Sequence, residues 1–375
     1  MRAIRLGAVA AAVALAAACG GKQEPEAGGA APGPEDQVVN VYNWSDYIGD
    51  TTIADFEKAT GIKVVYAVFD SNEQLETKLL TGRSGYDLVV PTAPFMERQI
   101  KAGVYMKLDK SQLPNLANMD PDIMRRTAAH DPGNEHSVTY LWGTVGLGYN
   151  PDMVKKALGT DTIDSWGALL DPAIASKLAK CGIAILDAPT DVYGSVAIYK
   201  GIDPNSEKPE DLKAVEDTLM KIRPYVRYFH SSQYINDLAS GEICLALGWN
   251  GDVLQARDRG AAAAKPVTVR YVIPKEGAIN YFDMMAIPAD APHPRNAHAF
   301  VNYLMDPQVI AKVTNKVRFA NGNLASLPYV ADDIKNDPGI YPDAATRERL
   351  HPDLAESQQF SRELNRAWTR VRSGE

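Results

Sequence analysis

The chain has 375 residues, of which 45% are hydrophobic and 23% are charged. This composition supports one large core or two moderate ones, with two lobes as the default, and it argues against overall disorder. The formal net charge of −8 and the scattered Lys and Arg residues disfavour nucleic acid and anionic lipid as partners, and they weakly favour small cations.

The N-terminus has the features of a secretory signal peptide. Residues 1–18 combine a basic start at Arg2 and Arg5 with an apolar run from Leu6 to Ala18, which is too short for a membrane-spanning helix. Removing this segment takes the formal charge from −8 to about −10, because both arginines leave with it.

Cys19 follows Leu15-Ala16-Ala17-Ala18, and this context resembles a bacterial lipobox. We therefore expect lipidation of Cys19, although an ordinary small-residue cleavage site before an incidental cysteine also fits the sequence. Residues 19–37 are rich in Gly, Pro, Ala and Glu, which predicts a flexible tether.

From residue 38 onward, short strand and helix segments alternate, which is the pattern of a parallel sheet covered by helices. Gly61 supplies a stop for the first helix, and Ser71 with Gln74 three residues later has the spacing of a capping box that opens the second. The predicted strands are 38–43, 62–69 and 87–90, and the predicted helices are 52–60, one from Ser71 to Gly82 and one ending near Gly103.

Two extended runs stand apart from this alternation. Residues 140–150 are rich in glycine and suit a strand that passes between lobes, and residues 281–287 form the second run. Both the intervening region and the C-terminal region mix predicted elements, so the expected fold class is α/β with a mixed sheet and flanking helices in each lobe. These elements are strands 183–186, 243–247 and 267–273, and helices 192–199, 213–221, 233–240, 295–304, 307–316 and 360–371.

An aromatic residue beside a carboxylate recurs where apolar runs stop. Trp44 and Asp46 follow the first strand, Trp249 and Asp252 follow residues 243–247, and the same mixture returns at Tyr281-Phe282-Asp283. Aromatic faces attract cations and carboxylates pair with them, and ligands of α/β sheets bind outside the carboxyl ends of the strands. The pattern therefore favours a small organic polycation as ligand.

Each of these residues also has a purely structural explanation. Asp46, Asp191 and Asp252 precede helix-like segments and, taken one at a time, fit better as helix caps. Trp44 and Trp249 fit a hydrophobic core. Repetition of the same chemistry in distant segments favours a shared site.

Cys181 and Cys244 form an even pair in an exported chain and are a candidate disulfide, with two buried free thiols as the alternative. Neither cysteine has CxxC or histidine spacing, so no metal site is predicted.

Several long motifs resemble the periplasmic putrescine-binding proteins of bacterial polyamine ABC transporters, and the similarity covers nearly everything from residue 38 to the C-terminus. These motifs are residues 43–48 (NWSDYI), 63–66 (KVVY), 68–73 (VFDSNE), 228–237 (YFHSSQYIND) and 273–277 (IPKEG).

The resemblance implies a two-lobed periplasmic solute-binding fold of type II that holds putrescine or spermidine in the interlobe cleft. It also implies that Cys181 and Cys244 are paired. Matched residue by residue, it places around the ligand Trp44, Ser45, Tyr47, Thr92, Asp191, Trp249, Asp252, Tyr281, Asp283 and Phe319.

The resemblance predicts a polyamine ligand more firmly than it predicts which polyamine is preferred. Asp191, Tyr281, Phe319 and Asp353 depart from the residues that relatives often carry at these positions. An extra acid such as Asp353 could favour a longer or more highly charged ligand, so putrescine leads and spermidine remains open.

The expected organisation is lobe 1 at 38–143 and 281–318 and lobe 2 at 144–280 and 319–375, closing about the crossings at 142–148 and 278–284. We expect a periplasmic monomer without cofactor or metal that delivers its ligand to an inner-membrane ABC permease. A sensor that presents its closed state to a signalling partner would have the same cleft. No catalytic residues are assigned, because GxSxG, HExxH and P-loop motifs are missing from the sequence.

Overall fold

The computed structural model describes residues 35–375. The signal peptide, Cys19 and most of the predicted tether lie outside these described residues. Within them, no helix is both long enough and apolar enough to cross a membrane.

The strands are β1 Val38–Trp44, β2 Lys63–Phe69, β3 Leu88–Val89, β4 Ser137–Tyr149, β5 Ile183–Ile185, β6 Tyr228–Phe229, β7 Leu245–Trp249, β8 Arg270–Val272, β9 Ala278–Ala286, β10 Ala320–Asn321 and β11 Leu350–Pro352. The helices are α1 Thr52–Thr60, α2 Asn72–Leu80, α3 Ala93–Lys101, α4 Pro121–Thr127, α5 Pro151–Leu158, α6 Gly167–Leu170, α7 Pro172–Leu178, α8 Pro189–Lys200, α9 Pro209–Ile222, α10 Gln233–Ser240, α11 Asn250–Ala261, α12 Pro294–Leu304, α13 Pro307–Val317, α14 Asp332–Lys335, α15 Ala344–Arg347 and α16 Gln358–Ser373. Short 3₁₀ turns lie at Lys110–Gln112, Pro114–Asn118, Pro132–Asn134, Arg223–Tyr225 and Leu324–Tyr329.

The long strand β4 joins two sheets. Its first part, Ser137 to Thr144, pairs antiparallel with β9 in a first sheet of order β2-β1-β3-β9-β4. Its second part, Val145 to Tyr149, pairs antiparallel with β7 in a second sheet of order β4-β7-β5-β6. Parallel pairing of β1 with β2 and β3, and of β5 with β6 and β7, places the carboxyl ends of these strands together at one edge of each sheet.

The glycines of β4 are required by close packing. A side chain at Gly143 would collide with Asn250 and with the hydroxyl of Tyr281, and one at Gly148 would collide with Val253. The Gly-rich run therefore lets β9 and α11 pack directly against the strand that connects the sheets.

Most predicted elements are confirmed, with shifted ends. Ser71 accepts a hydrogen bond from the backbone N–H of Gln74 at 3.2 Å, as the capping spacing predicts. The strand predicted at 243–247 begins at Leu245 and continues through Trp249, and the helix predicted at 192–199 begins at Pro189.

These shifts show that the capping explanation of the acids is wrong. The N-cap residues of α8 and α11 are Ala188 and Trp249, and neither side chain caps its helix. Asp191 and Asp252 lie inside the first helical turns instead, where the positive end of the helix dipole favours a carboxylate.

The disulfide between Cys181 and Cys244 is confirmed, with a Cα–Cα distance of 5.5 Å. It joins the end of α7 to the residue before β7, and Cys244 is fully buried. Closing a loop with a sequence separation of 63 residues stabilises the folded state by about 4 kcal/mol in the chain-entropy description.

Candidate functional site

A cavity lies where the carboxyl ends of strands from both sheets meet. About 570 Å³ of empty space lies between its walls, and this space is continuous with solvent. Its walls come from the carboxyl ends of β1, β2, β3, β6, β7 and β11 or the residues that follow them, from the first turns of α2, α8, α10 and α11, from β9 and from the residue before β10. They are Trp44, Ser45, Tyr47, Phe69, Asp70, Asn72, Thr92, Thr190, Asp191, Ser231, Ser232, Ile235, Trp249, Asp252, Tyr281, Asp283, Phe319 and Asp353.

All but one of the ligand residues expected from the sequence line this cavity. The exception is Asp46. Its carboxylate accepts a hydrogen bond from Arg259 at 2.7 Å, and its carbonyl accepts one from Gln255 at 3.3 Å. The backbone of Asp46 is left-handed, with φ 55°, and Asp46 does not line the cavity as its neighbours Ser45 and Tyr47 do. Asp46 therefore stands apart from the other residues expected at the ligand, and its ligand-binding role stays a prediction.

Three of the cavity acids are each held by an aromatic hydrogen-bond donor. The Tyr47 hydroxyl donates to Asp283 at 2.6 Å, and the Tyr234 hydroxyl donates to Asp252 at 2.8 Å. The indole N–H of Trp249 donates to Asp191 at 3.1 Å. These bonds orient the carboxylates and leave further lone pairs for a ligand.

Burial raises the pKa of all three acids. It raises the pKa of Asp191 and that of Asp252 to about 7, although the hydrogen bonds from Trp249 and Tyr234 act in the opposite direction. The pKa of Asp283 is raised well above its usual value, first by burial and then by the charges of Asp191 and Asp252. An added cation would therefore stabilise the ionised forms of all three.

Buried polar atoms without partners also face this cavity. Among the described residues, one carboxylate oxygen of Asp283, the Tyr281 hydroxyl and the Thr92 hydroxyl have no hydrogen-bond partner. Buried groups of this kind are costly unless something bonds to them. They mark places where the polar groups of a ligand would bind.

The aromatic walls are fixed by their own contacts. The Trp44 indole donates to the Val90 carbonyl at 2.8 Å, and the Trp44 and Trp249 rings meet edge to face with centroids 5.6 Å apart. Tyr47 and Phe319 make a similar contact at 4.9 Å. A side chain at Gly251 would collide with Phe319, so this glycine lets α11 approach the ring.

Several of the lining residues are not among those predicted from the sequence. These are Phe69, Asp70, Asn72, Thr190, Ser231, Ser232 and Ile235, while Asp353 was noted only as a possible selectivity position. The signal was present for Asp70 and Ser231, because both follow predicted or observed strand ends.

In residues 35–375, no group of three or more His, Cys, Asp or Glu side chains is arranged to hold a metal ion. The chemistry offered by the cavity is the binding of organic cations.

Comparisons with known proteins agree with this geometry. A family profile of bacterial extracellular solute-binding proteins matches residues 51–342. The putrescine-binding periplasmic protein SpuD of Pseudomonas aeruginosa is 52% identical over 92% of this chain and 95% of its own length. The putrescine-binding periplasmic protein PotF of Escherichia coli is 50% identical over 91% of this chain and 92% of its own length.

A solved structure shows the same fold. The spermidine/putrescine ABC transporter substrate-binding protein PotD of Streptococcus pneumoniae superimposes with a TM-score of 0.72 at 25% identity, covering 90% of this chain and 99% of that one. The fold is therefore the two-lobed α/β fold of periplasmic binding proteins, and the chain belongs to the bacterial extracellular solute-binding proteins.

Proposed function

We propose that the protein captures a polyamine, putrescine first, outside the cytoplasm and delivers it to an ABC permease for uptake. One observation carries this proposal: acids and aromatic faces from both sheets line one cavity, and three of its acids are already held in place by Tyr47, Tyr234 and Trp249. The relatives named as putrescine-binding periplasmic proteins support the same conclusion.

The geometry suits a flexible diamine. One ammonium group would bind Asp252 and Asp283, and the other would bind Asp191, with charge-assisted hydrogen bonds that are strong in a dry cavity. The methylene chain would lie along Trp44, Trp249 and Tyr281. Each cation–π contact would contribute about 0.5 to 2 kcal/mol.

We further propose that the two sheets belong to lobes that close over the ligand. Lobe 1 comprises 38–143 and 281–318, and lobe 2 comprises 144–280 and 319–375. The short strand β10 is an exception, because it pairs with Leu141 and Trp142 in the first sheet. Contacts between the halves, such as that of Trp44 with Trp249, would form on closure and release the ligand when they break.

The remaining parts of the proposal concern the setting. The protein would act as a periplasmic monomer, tethered to a membrane if Cys19 is lipidated, and its closed form would dock on the permease. The fold and the relatives are those of transport binding proteins, not of enzymes.

Calorimetric titration of ligand-free protein tests the function. Protein unfolded in denaturant without reductant, dialysed and refolded would be titrated with putrescine, cadaverine, agmatine, spermidine and spermine, with 1,4-butanediol as an uncharged control. We expect saturable binding of putrescine at one site and no binding of the diol. Failure of every amine to bind would contradict the proposed function.

A further inference from the structure

We infer that Asp353 forms a third cation subsite, so that the cavity accepts triamines of the spermidine type as well as diamines. This inference rests on the proposed function and adds to it the residue that would bind the extra charge.

The position of Asp353 follows from a long-range strand pairing. Strand β11 pairs in parallel with Ala278 to Asn280 of β9, and the backbone N–H of Asp353 donates to the Asn280 carbonyl at 3.3 Å. This pairing places Asp353 beside the start of the segment that carries Tyr281 and Asp283. All three side chains line the same cavity.

Asp353 differs from the other three acids in the hydrogen bonds that its carboxylate accepts. Asp191, Asp252 and Asp283 each accept a hydrogen bond from an aromatic side chain. No side chain in the described part of the chain donates a hydrogen bond to the Asp353 carboxylate. Asp353 is only partly exposed, so solvent compensates the burial of its carboxylate in part, and a cation bound beside it would stabilise the charged form.

Arg98 is a protein cation that acts on Asp353, and its charge lowers the pKa of this carboxyl group. No hydrogen bond or ion pair joins the two side chains in residues 35–375: Arg98 Nη2 contacts Glu76 at 3.4 Å, the guanidinium lies over the Phe95 ring, and Nη1 is buried without a hydrogen-bond partner. Burial raises the pKa of Asp353 well above its usual value, and the charges of Asp191 and Glu356 raise it further.

Asp353 lies among the other cavity acids. It lines the same cavity as Asp191, Asp252 and Asp283, and the charges of Asp191 and Asp283 both act on its carboxyl group. Four acids in one cavity offer partners for more than two ammonium groups.

Space continues past Asp353. The residue also lines an adjoining cavity whose walls include Thr190, Tyr193 and Glu356. One carboxylate oxygen of Glu356 is buried there without a hydrogen-bond partner in the described residues. A diamine bound by Asp252, Asp283 and Asp191 leaves Asp353 without an ammonium partner, and a third ammonium group would neutralise it.

The test compares spermidine with N8-acetylspermidine, which is longer than spermidine but lacks the terminal charge at its aminobutyl end, and with N1-acetylspermidine, which lacks the charge at the other end. Each is titrated calorimetrically into wild-type protein and into Asp353→Asn. We expect wild-type protein to bind spermidine with an affinity within about tenfold of that for putrescine, and to lose about tenfold or more for at least one of the acetylated ligands, since a buried charge contact is removed.

The variant carries the decisive comparison. Asp353→Asn should weaken spermidine binding by about tenfold or more while changing putrescine binding by less than about threefold. Asp353→Glu should retain spermidine binding. Asp332→Asn, at a side chain that is 89% exposed, controls for net charge and should change neither ligand.

Equal weakening of putrescine and spermidine by Asp353→Asn would overturn the inference, as would wild-type protein that binds putrescine but not spermidine. Wild-type protein that binds neither amine would instead overturn the proposed function. The wild-type titrations alone keep the inference falsifiable if the Asn variant does not fold.

Discussion

In both halves of the cavity, carboxylates accept hydrogen bonds from aromatic side chains, but the carboxylates lie on different backbone elements. In the half built on the first sheet, Asp283 lies on β9 and is held by Tyr47, and both side chains are less than 5% exposed. In the half built on the second sheet, Asp191 and Asp252 lie in the first turns of α8 and α11. Asp191 and its donor Trp249 are only partly buried, whereas Asp252 and its donor Tyr234 are buried.

The difference shows in the pKa values. The pKa of Asp283 is raised well above its usual value, mainly by burial, whereas those of Asp191 and Asp252 reach about 7. The charges of Asp191 and Asp252 add to the effect of burial on Asp283, while the first turns of α8 and α11 offer backbone dipoles that favour a carboxylate. Asp283 is thus more buried than Asp191, and the helix side is the half whose charge changes near neutral pH.

The largest expected effect is at the strand-borne acid. Asp283→Asn should weaken putrescine binding by a factor of about 100 to 1000, because one partner of a buried charge pair is lost. The thermal midpoint of the ligand-free protein should stay the same or rise, since a carboxyl group whose ionisation is disfavoured by burial is replaced by a neutral amide of similar size. Calorimetry and thermal unfolding measure the two effects. An affinity within threefold of wild type would contradict the anchoring role.

The helix-borne acids should follow. Asp252→Asn should weaken putrescine binding by about 100-fold and leave the thermal midpoint of the ligand-free protein nearly unchanged. Unchanged affinity would remove Asp252 from the site. A loss of stability as large as the loss of binding energy would instead indicate a structural role.

Proton linkage separates the halves by pH. Because the pKa values of Asp191 and Asp252 are about 7 without ligand, and a bound cation favours their ionised forms, putrescine affinity should fall as pH falls from 8 to 6. The expected fall is up to about tenfold per pH unit for each group that must ionise. Titrations in buffers of different ionisation enthalpy should show proton release at pH 7, and identical heats in all buffers would count against this assignment.

The stability of the ligand-free protein should respond in the opposite sense. Native pKa values above the usual 3.8 mean that the folded state binds more protons than the unfolded state between about pH 4 and 7. The contribution of these acids therefore lowers stability as pH rises through that window. Thermal midpoints measured from pH 5 to 8 should fall for the ligand-free protein and fall less with putrescine bound, and Asp191→Asn with Asp252→Asn should flatten the ligand-free curve.

Many of the residues that line the cavity could be singled out from the sequence because they follow predictable strand ends, and the resemblance to putrescine-binding proteins added others such as Phe319. Trp44 and Trp249 each end a strand of apolar residues, and Asp252 lies three residues past Trp249. Position in sequence did not distinguish Asp46 from Ser45 and Tyr47. That distinction depends on the left-handed backbone at Asp46 and on Arg259, which lies far along the chain.

Three elements, α5, β10 and β11, were not predicted from the sequence, and the reason differs between the helix and the two strands. Helix α5 had usable signals, with Asn150 as N-cap, Pro151 in the first turn and Gly159 in the left-handed conformation at its end. Strands β10 and β11 contain two and three residues and form only because β4 and β9 lie beside them, so no local pattern predicts them. The placement of Asp353 depends on β11 and could not be obtained from periodicity.

Removing single aromatic donors should give smaller effects and compare the halves directly. Tyr47→Phe and Trp249→Phe keep an apolar ring but remove the hydrogen bonds to Asp283 and Asp191. Each should weaken putrescine binding by about 3- to 30-fold, with the larger effect for Tyr47→Phe, because its acid is more deeply buried. Equal effects, or a larger effect at Trp249, would contradict the claim that Asp283 is the more deeply buried of the two acids.

The smallest effect on binding is expected from the disulfide, which lies away from the cavity lining. Replacing both Cys181 and Cys244 by serine should lower the free energy of unfolding by about 4 kcal/mol and change putrescine affinity by less than about threefold. Denaturant unfolding and calorimetry measure these values. A large loss of affinity in protein that remains folded would show that the disulfide positions the helix-borne acids.

The central claim is that acids from both sheets bind one cation-bearing ligand in a shared cavity. A crystal structure of the protein grown with putrescine tests this most directly. We expect one ammonium nitrogen within about 3 Å of Asp252 and Asp283 and the other within about 3 Å of Asp191, with the methylene chain between Trp44 and Trp249. Putrescine bound outside this cavity, or Asp191 and Asp252 facing separate outer surfaces, would contradict the account.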